Sequence, residues 1–359
     1  MLAGPGEPLM APSQESRGKG TWRVVATTLA IGSAGGWLLD ACGMPAGWLC
    51  GAMLAVALAA LRGVRTQMPE RLRDATFIVL GTSMGSALTP NTLHDLQLWP
   101  MSVVILLVSV AASMYVGASY LRYVYGWDRA TARLSSVPGA LSAVLAVASG
   151  TSANLPAVAL SQTLRQLVLV SLVPLAMLVS PHVAAPRVAL LAGMGDAAVM
   201  LLAGVAGSMV LTGLRVPGAK LVGAMLASGL LHAGGWVAGR LDPLLMQMAF
   251  VATGAVIGSR FTGTRVDLLL STIKPALGSI FAAISIAAAF AWLCHVLLDL
   301  PFSEIWLAYA PGGVEAMTIM AFALNLDPSY VSTHHVIRLL VLMLLSPLWT
   351  RGLLDKPQS

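Results

Sequence analysis

From Trp22 to Trp349 the chain is a succession of about a dozen apolar runs, most of them roughly as long as a helix that crosses a hydrocarbon core of about 30 Å. Few folds accept such a pattern. Inside lipid every backbone N–H and C=O must be bonded within the protein, so the runs are read as helices. Composition closes the alternatives. With 57% hydrophobic and 10% charged residues, the chain cannot supply the polar surface of a soluble globule, a coiled coil or a disordered protein. The expected class is an all-α polytopic membrane protein.

The runs repeat. Gly51-Ala52-Met53-Leu54-Ala55 recurs letter for letter as Gly223-Ala224-Met225-Leu226-Ala227, with Pro45 and Pro217 six residues ahead, at an offset of 172. At an offset of 173, Gly81 meets Gly254, Gly85-Ser86 meets Gly258-Ser259, and Thr89 meets Thr262. Pro138-Gly139 meets Pro311-Gly312, Arg165 meets Arg338 and Pro174 meets Pro347 at that same offset. Matches that include rare letters such as an intramembrane Arg are not the work of Ala/Leu/Gly bias, so the chain reads as a duplication. The expected organisation is a mobile Gly/Pro/Ser-rich tail over residues 1–20, one membrane repeat over 21–181 and a second over 182–354. The tail has no apolar core of signal-peptide type.

Each half holds five longer runs and one short one, 139–150 and 312–324. A dozen helical residues reach only about 20 Å, too little to cross. Pro-Gly stands immediately before the short run in both halves, and that dipeptide breaks a helix. Two geometries remain open. The short element is re-entrant, leaving five crossings per half; or it is one leg of a broken but crossing helix (127–150 and 302–325), and another run fails to span.

Loop charge separates parallel from inverted repeats. In the first half, loops 62–74 and 122–133 carry Arg62, Arg65, Arg71, Arg73, Arg122, Arg129 and Arg133, while loop 90–99 carries no Lys or Arg. In the second half the counterpart of loop 90–99 is basic (Arg260, Arg265, Lys274), and that of 122–133 is acidic (Asp299, Glu304). Under the positive-inside rule these sets share a cytoplasmic face only if the halves are inverted. Arg187 and Arg240 are exceptions. The expectation is therefore two inverted repeats in a bacterial inner (plasma) membrane with both termini cytoplasmic. The net charge of +6 is explained by topology, without a nucleic-acid partner.

Candidate functional residues gather around the breaks. Intramembrane charge is costly and is usually there for a task. Arg165 and Arg338 stand at equivalent depths, either as partners of an anion or as clamps on carbonyls freed where the backbone unwinds. One turn upstream lie Ser161 and Gln162 in the first half, His334 and His335 in the second. Glu315 is the acid within a short element, and Glu315, His335 and Arg338 are read either as a proton-titratable cluster or as a structural ion pair. Asn154 and Asp327 correspond at the tips of the short elements. The segments Pro138-Gly139-Ala140 and Pro311-Gly312-Gly313 open short helices whose free N–H groups suit an anion, while unwound carbonyls suit a cation. Asp196 reads as interfacial. The Gly-rich stretches 81–86 and 254–259 read as helix-packing surfaces. Cys42, Cys50 and Cys294 show no disulfide or zinc spacing, and no cofactor or metal is expected.

The duplicated Pro-Gly-[Ala/Gly] elements, the mid-helix Arg165 and Arg338, Glu315, His334-His335 and the terminal Pro174 and Pro347 resemble the membrane AbrB family, over residues 24–353. The resemblance implies a duplicated AbrB domain and likeness to transporters of the cation–proton antiporter and anion transporter type. It assigns no functional residues. Members carry two labels, ammonia monooxygenase and regulator of gene expression. The residues argue against the first, since six His without HxxxH or ExxH spacing offer no convergent ligand set. Direct DNA binding fails too, because no soluble stretch is long enough. The expected function is that of a secondary transporter, ion- or proton-coupled, for a small solute with a lean to anions. The alternative is a membrane sensor that influences gene expression indirectly without turnover. Partners would be the lipid bilayer, the solute and a coupling ion, with a homo-oligomer left open.

Overall fold

The computed structural model describes residues 14–86, 99–139, 141–177, 191–350 and 353. Among them regular structure is helical throughout, apart from isolated bridge residues at Thr151 and between Leu191 and Arg240. The first half runs α1 (Gln14–Ala41), α2 (Gly47–Leu61), α3 (Glu70–Gly85), α4 (Trp99–Tyr125), α5 (Arg129–Ser136), α6 (Leu141–Ala148) and α7 (Leu155–Met177). The second runs α8 (Met194–Gly213), α9 (Ala219–Ala233), α10 (Pro243–Gly258), α11 (Val266–Leu298), α12 (Phe302–Tyr309), α13 (Val314–Ala323) and α14 (Pro328–Leu344), followed by the short α15 (Ser346–Trp349). Among the described residues six helices are long and apolar enough to cross a membrane, in the spans 22–41, 99–125, 155–176, 194–213, 243–261 and 266–298. The protein is an all-α polytopic integral membrane protein.

Two sequence expectations meet a different chain. Helix α1 starts at Gln14, inside the stretch read as a tail, whose first thirteen residues lie outside the described part. The expected boundary between repeats, 181/182, lies outside it as well. The runs read as crossings near Gly51 and Gly223 form helices of only 15 residues each, about 22 Å at 1.5 Å per residue. They are short because they are central: Leu49, Cys50, Ala52, Met53 and Val56 of α2 are wholly buried, among neighbouring helices and not lipid.

Glycine sets those contacts. Helices α1 and α2 pack antiparallel, with Gly36 against Trp48, Gly35 against Gly51 and Ala55, and Gly32 against Ala52 and Val56. Between the halves the arrangement is reciprocal. Helix α3 lies along α9 in the same direction, Gly81 facing Leu221 and Ala224, Gly85 facing Ser228 and Gly229. Helix α10 lies along α2 in the same direction, Gly254 facing Leu49 and Ala52, Gly258 facing Met53 and Ala57. A Cβ at Gly258 would stand 2.6 Å from the Met53 carbonyl oxygen, so the backbones could not approach as they do. The Gly-rich stretches thus serve close packing. Beyond the helix ends, the Thr66 and Thr262 hydroxyls meet at 2.5 Å.

Each broken element folds back on itself. The Asn154 amide, just before α7, donates to the Thr131 Oγ1 near the start of α5 at 2.8 Å, while Gln162 and Arg165, further along α7, reach Leu134 and Val137 at the far end of α5. Helices α5 and α7 therefore run side by side in one direction, and α6 must return between them. The second half repeats this: the Asp327 amide donates to Glu304 Oε1 at 3.3 Å, and Arg338 reaches Ala310 and Gly312. Legs of eight to ten residues reach about 12–15 Å. The Pro-Gly turn thus sits at the tip of a re-entrant V, and a single crossing helix with a kink does not describe it.

Candidate functional site

A break leaves the last carbonyls of the first leg without helical partners, and in an apolar interior such groups must be answered. In the first half two side chains of α7 share the task. Gln162 Nε2 donates to the Leu134 and Val137 carbonyls, both at 3.0 Å. Arg165 Nη2 donates to the same Val137 carbonyl at 3.0 Å and to Gln162 Oε1. In the second half Arg338 works alone, Nη1 donating to the Ala310 carbonyl at 2.8 Å and Nη2 to the Gly312 carbonyl at 2.5 Å. Its side chain is wholly buried. His335, the counterpart of Gln162, has the Leu307 backbone as polar neighbour without a well-formed hydrogen bond.

The two arginines are thus clamps on unwound backbone. Their positive charge sits at the C-terminal ends of α5 and α12, where the helix dipole is negative. The N-terminal ends of α6 and α13 stay free to face something else.

Both face one cavity of about 470 Å³. Gly139 and Leu141 border it from the first tip, Pro311, Gly312, Gly313 and Glu315 from the second, and Gln162, Arg165 and Gln166 from α7. The same cavity is lined by Lys220 at the start of α9 and by Arg73 and Arg260, which come from two loops read from the sequence as cytoplasmic. Arg73 is paired with Asp74 at 2.9 Å, and Arg260 donates to Gln166 Oε1. Among the described residues neither Glu315 nor Lys220 makes an ion pair.

Several expected residues stand elsewhere. Glu315, His335 and Arg338 do not form one cluster: Glu315 points into the cavity, where Arg260 is its charged neighbour, while His335 and Arg338 lie buried against α12. The cause is topological, since Glu315 sits on the returning leg and the other two face the entering one. Asn154 and Asp327 are helix caps, accepting the Ala157 amide at 3.1 Å and the Ser329 amide at 2.7 Å. Pro138 is buried at its tip and does not border the cavity; Ala140 lies outside the described residues. Asp196 accepts the Ala238 amide at 3.4 Å, away from the site. Among the described residues no three His, Cys, Asp or Glu side chains gather as a metal site.

One polar network was not expected from the sequence, although its His334 was among the residues singled out there. Ser102 of α4 bonds the Tyr330 hydroxyl at 2.5 Å and His334 Nε2 at 3.0 Å, and Tyr309 donates to its carbonyl at 2.5 Å. It locks α4 to α12 and α14. Its signal was weak because the counterpart of Ser102 is Pro275, so the repeat does not display it.

A family model described as "Transition state regulatory protein AbrB" matches residues 48–353. The chain is 31% identical over 318 residues to the Escherichia coli (strain K12) protein named "Putative regulator AbrB", covering 85% of this chain and 89% of that protein. It is 26% identical over 352 residues to "Uncharacterized protein YhjN" of Bacillus subtilis (strain 168), covering 89% and 90%. Neither name, nor the family description, denotes an enzyme.

Proposed function

The chain belongs to the AbrB family, and on that premise we propose that it is a secondary transporter of a small anionic solute. In this reading two inverted bundles carry their re-entrant tips to the middle of a bacterial inner membrane, and the site is the cavity between them. One observation carries the proposal: the N-terminal ends of α6 and α13, from opposite halves, border the same cavity. Free N–H groups and a partial positive charge at two such ends favour an anion, and paired interrupted helices at the repeat interface are where such transporters hold their solute. The basic groups Arg73, Lys220 and Arg260 in the same lining add attraction for a negative solute.

Support for inversion comes from the loops. Arg73 follows α2, Lys220 follows α8 and Arg260 follows α10, yet all three line the same cavity. Such loops would alternate between faces if the halves ran parallel. The face that supplies these cations is read as cytoplasmic, which leaves the site facing inward and both termini inside.

Glu315 is the group assigned to coupling, because it is the ionisable acid on a tip and stands within the cavity. The test is counterflow in proteoliposomes with radiolabelled mono- and dicarboxylates, with and without a proton gradient. Glu315→Gln should abolish the response to the gradient, and Arg260→Gln should weaken uptake. Unchanged, gradient-driven flux in both variants removes the site. A sensor without turnover is the second reading, favoured by the regulator name of the E. coli relative; saturable binding of the same anions with no flux would select it.

A further inference from the structure

A second cavity of about 510 Å³ lies on the outer side of α4, away from the tips. Leu107, Val110, Ala111, Met114, Ala118 and Arg122 line it at steps of three and four, which is one face of a helix about 24 Å long. Val341 and Leu345 form the opposite wall, and Ala111 and Ala118 leave a narrow slot between them. The slot ends in charge, with Arg122 of α4 beside Arg129 and Arg133 of α5. Arg122 and Arg129 both act electrostatically on Arg133. Among the described residues none of the three makes an ion pair, and the adjacent Asp128 is engaged as the cap of α5, accepting the Thr131 amide at 2.9 Å.

The duplication provides an internal control. In the second half the counterparts of Arg122, Arg129 and Arg133 are His295, Phe302 and Trp306. These pack with Trp292 into an aromatic cluster whose ring centroids lie 5.5–6.4 Å apart. The counterparts of the slot residues there, Ala283, Ile284, Ala287 and Ala291, are buried, because α7 packs on α11 more closely than α14 does on α4. The same crevice is therefore closed in one half, and open and triply cationic in the other. An open apolar slot capped by unpaired arginines at a membrane interface matches an amphiphile with a negative head.

We propose that this groove binds one anionic phospholipid, its phosphate held by Arg122, Arg129 and Arg133 and an acyl chain laid along α4. The charge asymmetry between the halves selects this occupant over a neutral lipid, and the slot selects it over a free anion. Because α5 carries two of the arginines, the bound lipid would brace the entering leg of the first re-entrant element from outside.

Native mass spectrometry of the full-length, delipidated protein in detergent tests it, with dioleoylphosphatidylglycerol and dioleoylphosphatidylcholine as probes. The expected result is one phosphatidylglycerol retained about tenfold over phosphatidylcholine. Arg133→Gln should reduce that preference to about threefold or less. Ala118→Phe, which fills the slot and leaves every arginine in place, should remove the bound lipid without lowering the melting temperature. Equal retention of the two lipids, or wild-type retention in both variants, overturns the proposal. So does displacement of the lipid by millimolar inorganic phosphate, or a lipid-free dimer that covers the groove.

Discussion

Replacing Arg338 by Met separates the two ways the halves hold their breaks. The substitution keeps much of the side-chain volume and strips the Gly312 carbonyl of its donor at 2.5 Å; the Ala310 carbonyl loses the bond at 2.8 Å but keeps the Gly312 amide at 2.7 Å. The unanswered Gly312 carbonyl costs about 1–3 kcal/mol and the lost second bond to Ala310 about 1 kcal/mol. Relief from burying a guanidinium that no acid neutralises offsets part of this, leaving a net loss of about 2 kcal/mol. The equivalent change, Arg165→Met, removes one backbone bond whose acceptor, the Val137 oxygen, is still held by Gln162 Nε2; the loss there is about 1 kcal/mol. At roughly 2–4 °C per kcal/mol, thermal unfolding in detergent should fall by about 4–8 °C for Arg338→Met and by about 2–4 °C for Arg165→Met. Adding Gln162→Ala to the latter should bring the two halves level. Equal shifts in the two single variants, or no shift in Arg338→Met, would refute the clamp.

A T66C/T262C double variant should form a disulfide under mild oxidation, since the two hydroxyls lie 2.5 Å apart; peptide mapping would show it, and failure to cross-link would contradict the shared face of loops from opposite halves. Gly258→Leu should prevent accumulation of folded protein because the Met53 carbonyl occupies the space, whereas Gly263→Asn, at φ 76° with open surroundings, should cost less than about 1 kcal/mol; fluorescence size-exclusion chromatography distinguishes them. Ser102→Ala should lower stability by about 1–3 kcal/mol, by leaving Tyr330 and His334 short of a partner.

What the sequence displayed well was whatever occurs twice. The Pro-Gly breaks, the paired arginines and the Gly-rich faces were visible because a rare residue in one copy was matched in the other. For the short elements, tertiary contacts such as Asn154 to Thr131 show a hairpin that folds back on itself, which spacing alone left open. Spacing also left open what the arginines hold, since a guanidinium about 7 Å from its Cα reaches whatever the fold brings there; it brings carbonyls. The grouping of Glu315 with His335 and Arg338 failed because a hairpin puts its two legs on different neighbours. The Ser102 network and the α4 groove escaped altogether, because each exists in one half only.

The reciprocal seating of α2 on α10 and of α3 on α9 bears on how the molecule is made. The faces of α2 and α3 are cut to receive helices that the ribosome has not yet produced. An early half would wait in the bilayer with backbone-lined furrows filled by lipid, and the structure could close only after the later half arrives with its own furrows facing the other way. Assembly would then be a late, single event between finished parts and not a helix-by-helix accretion. Two separately translated halves should find each other in the same membrane by the same surfaces.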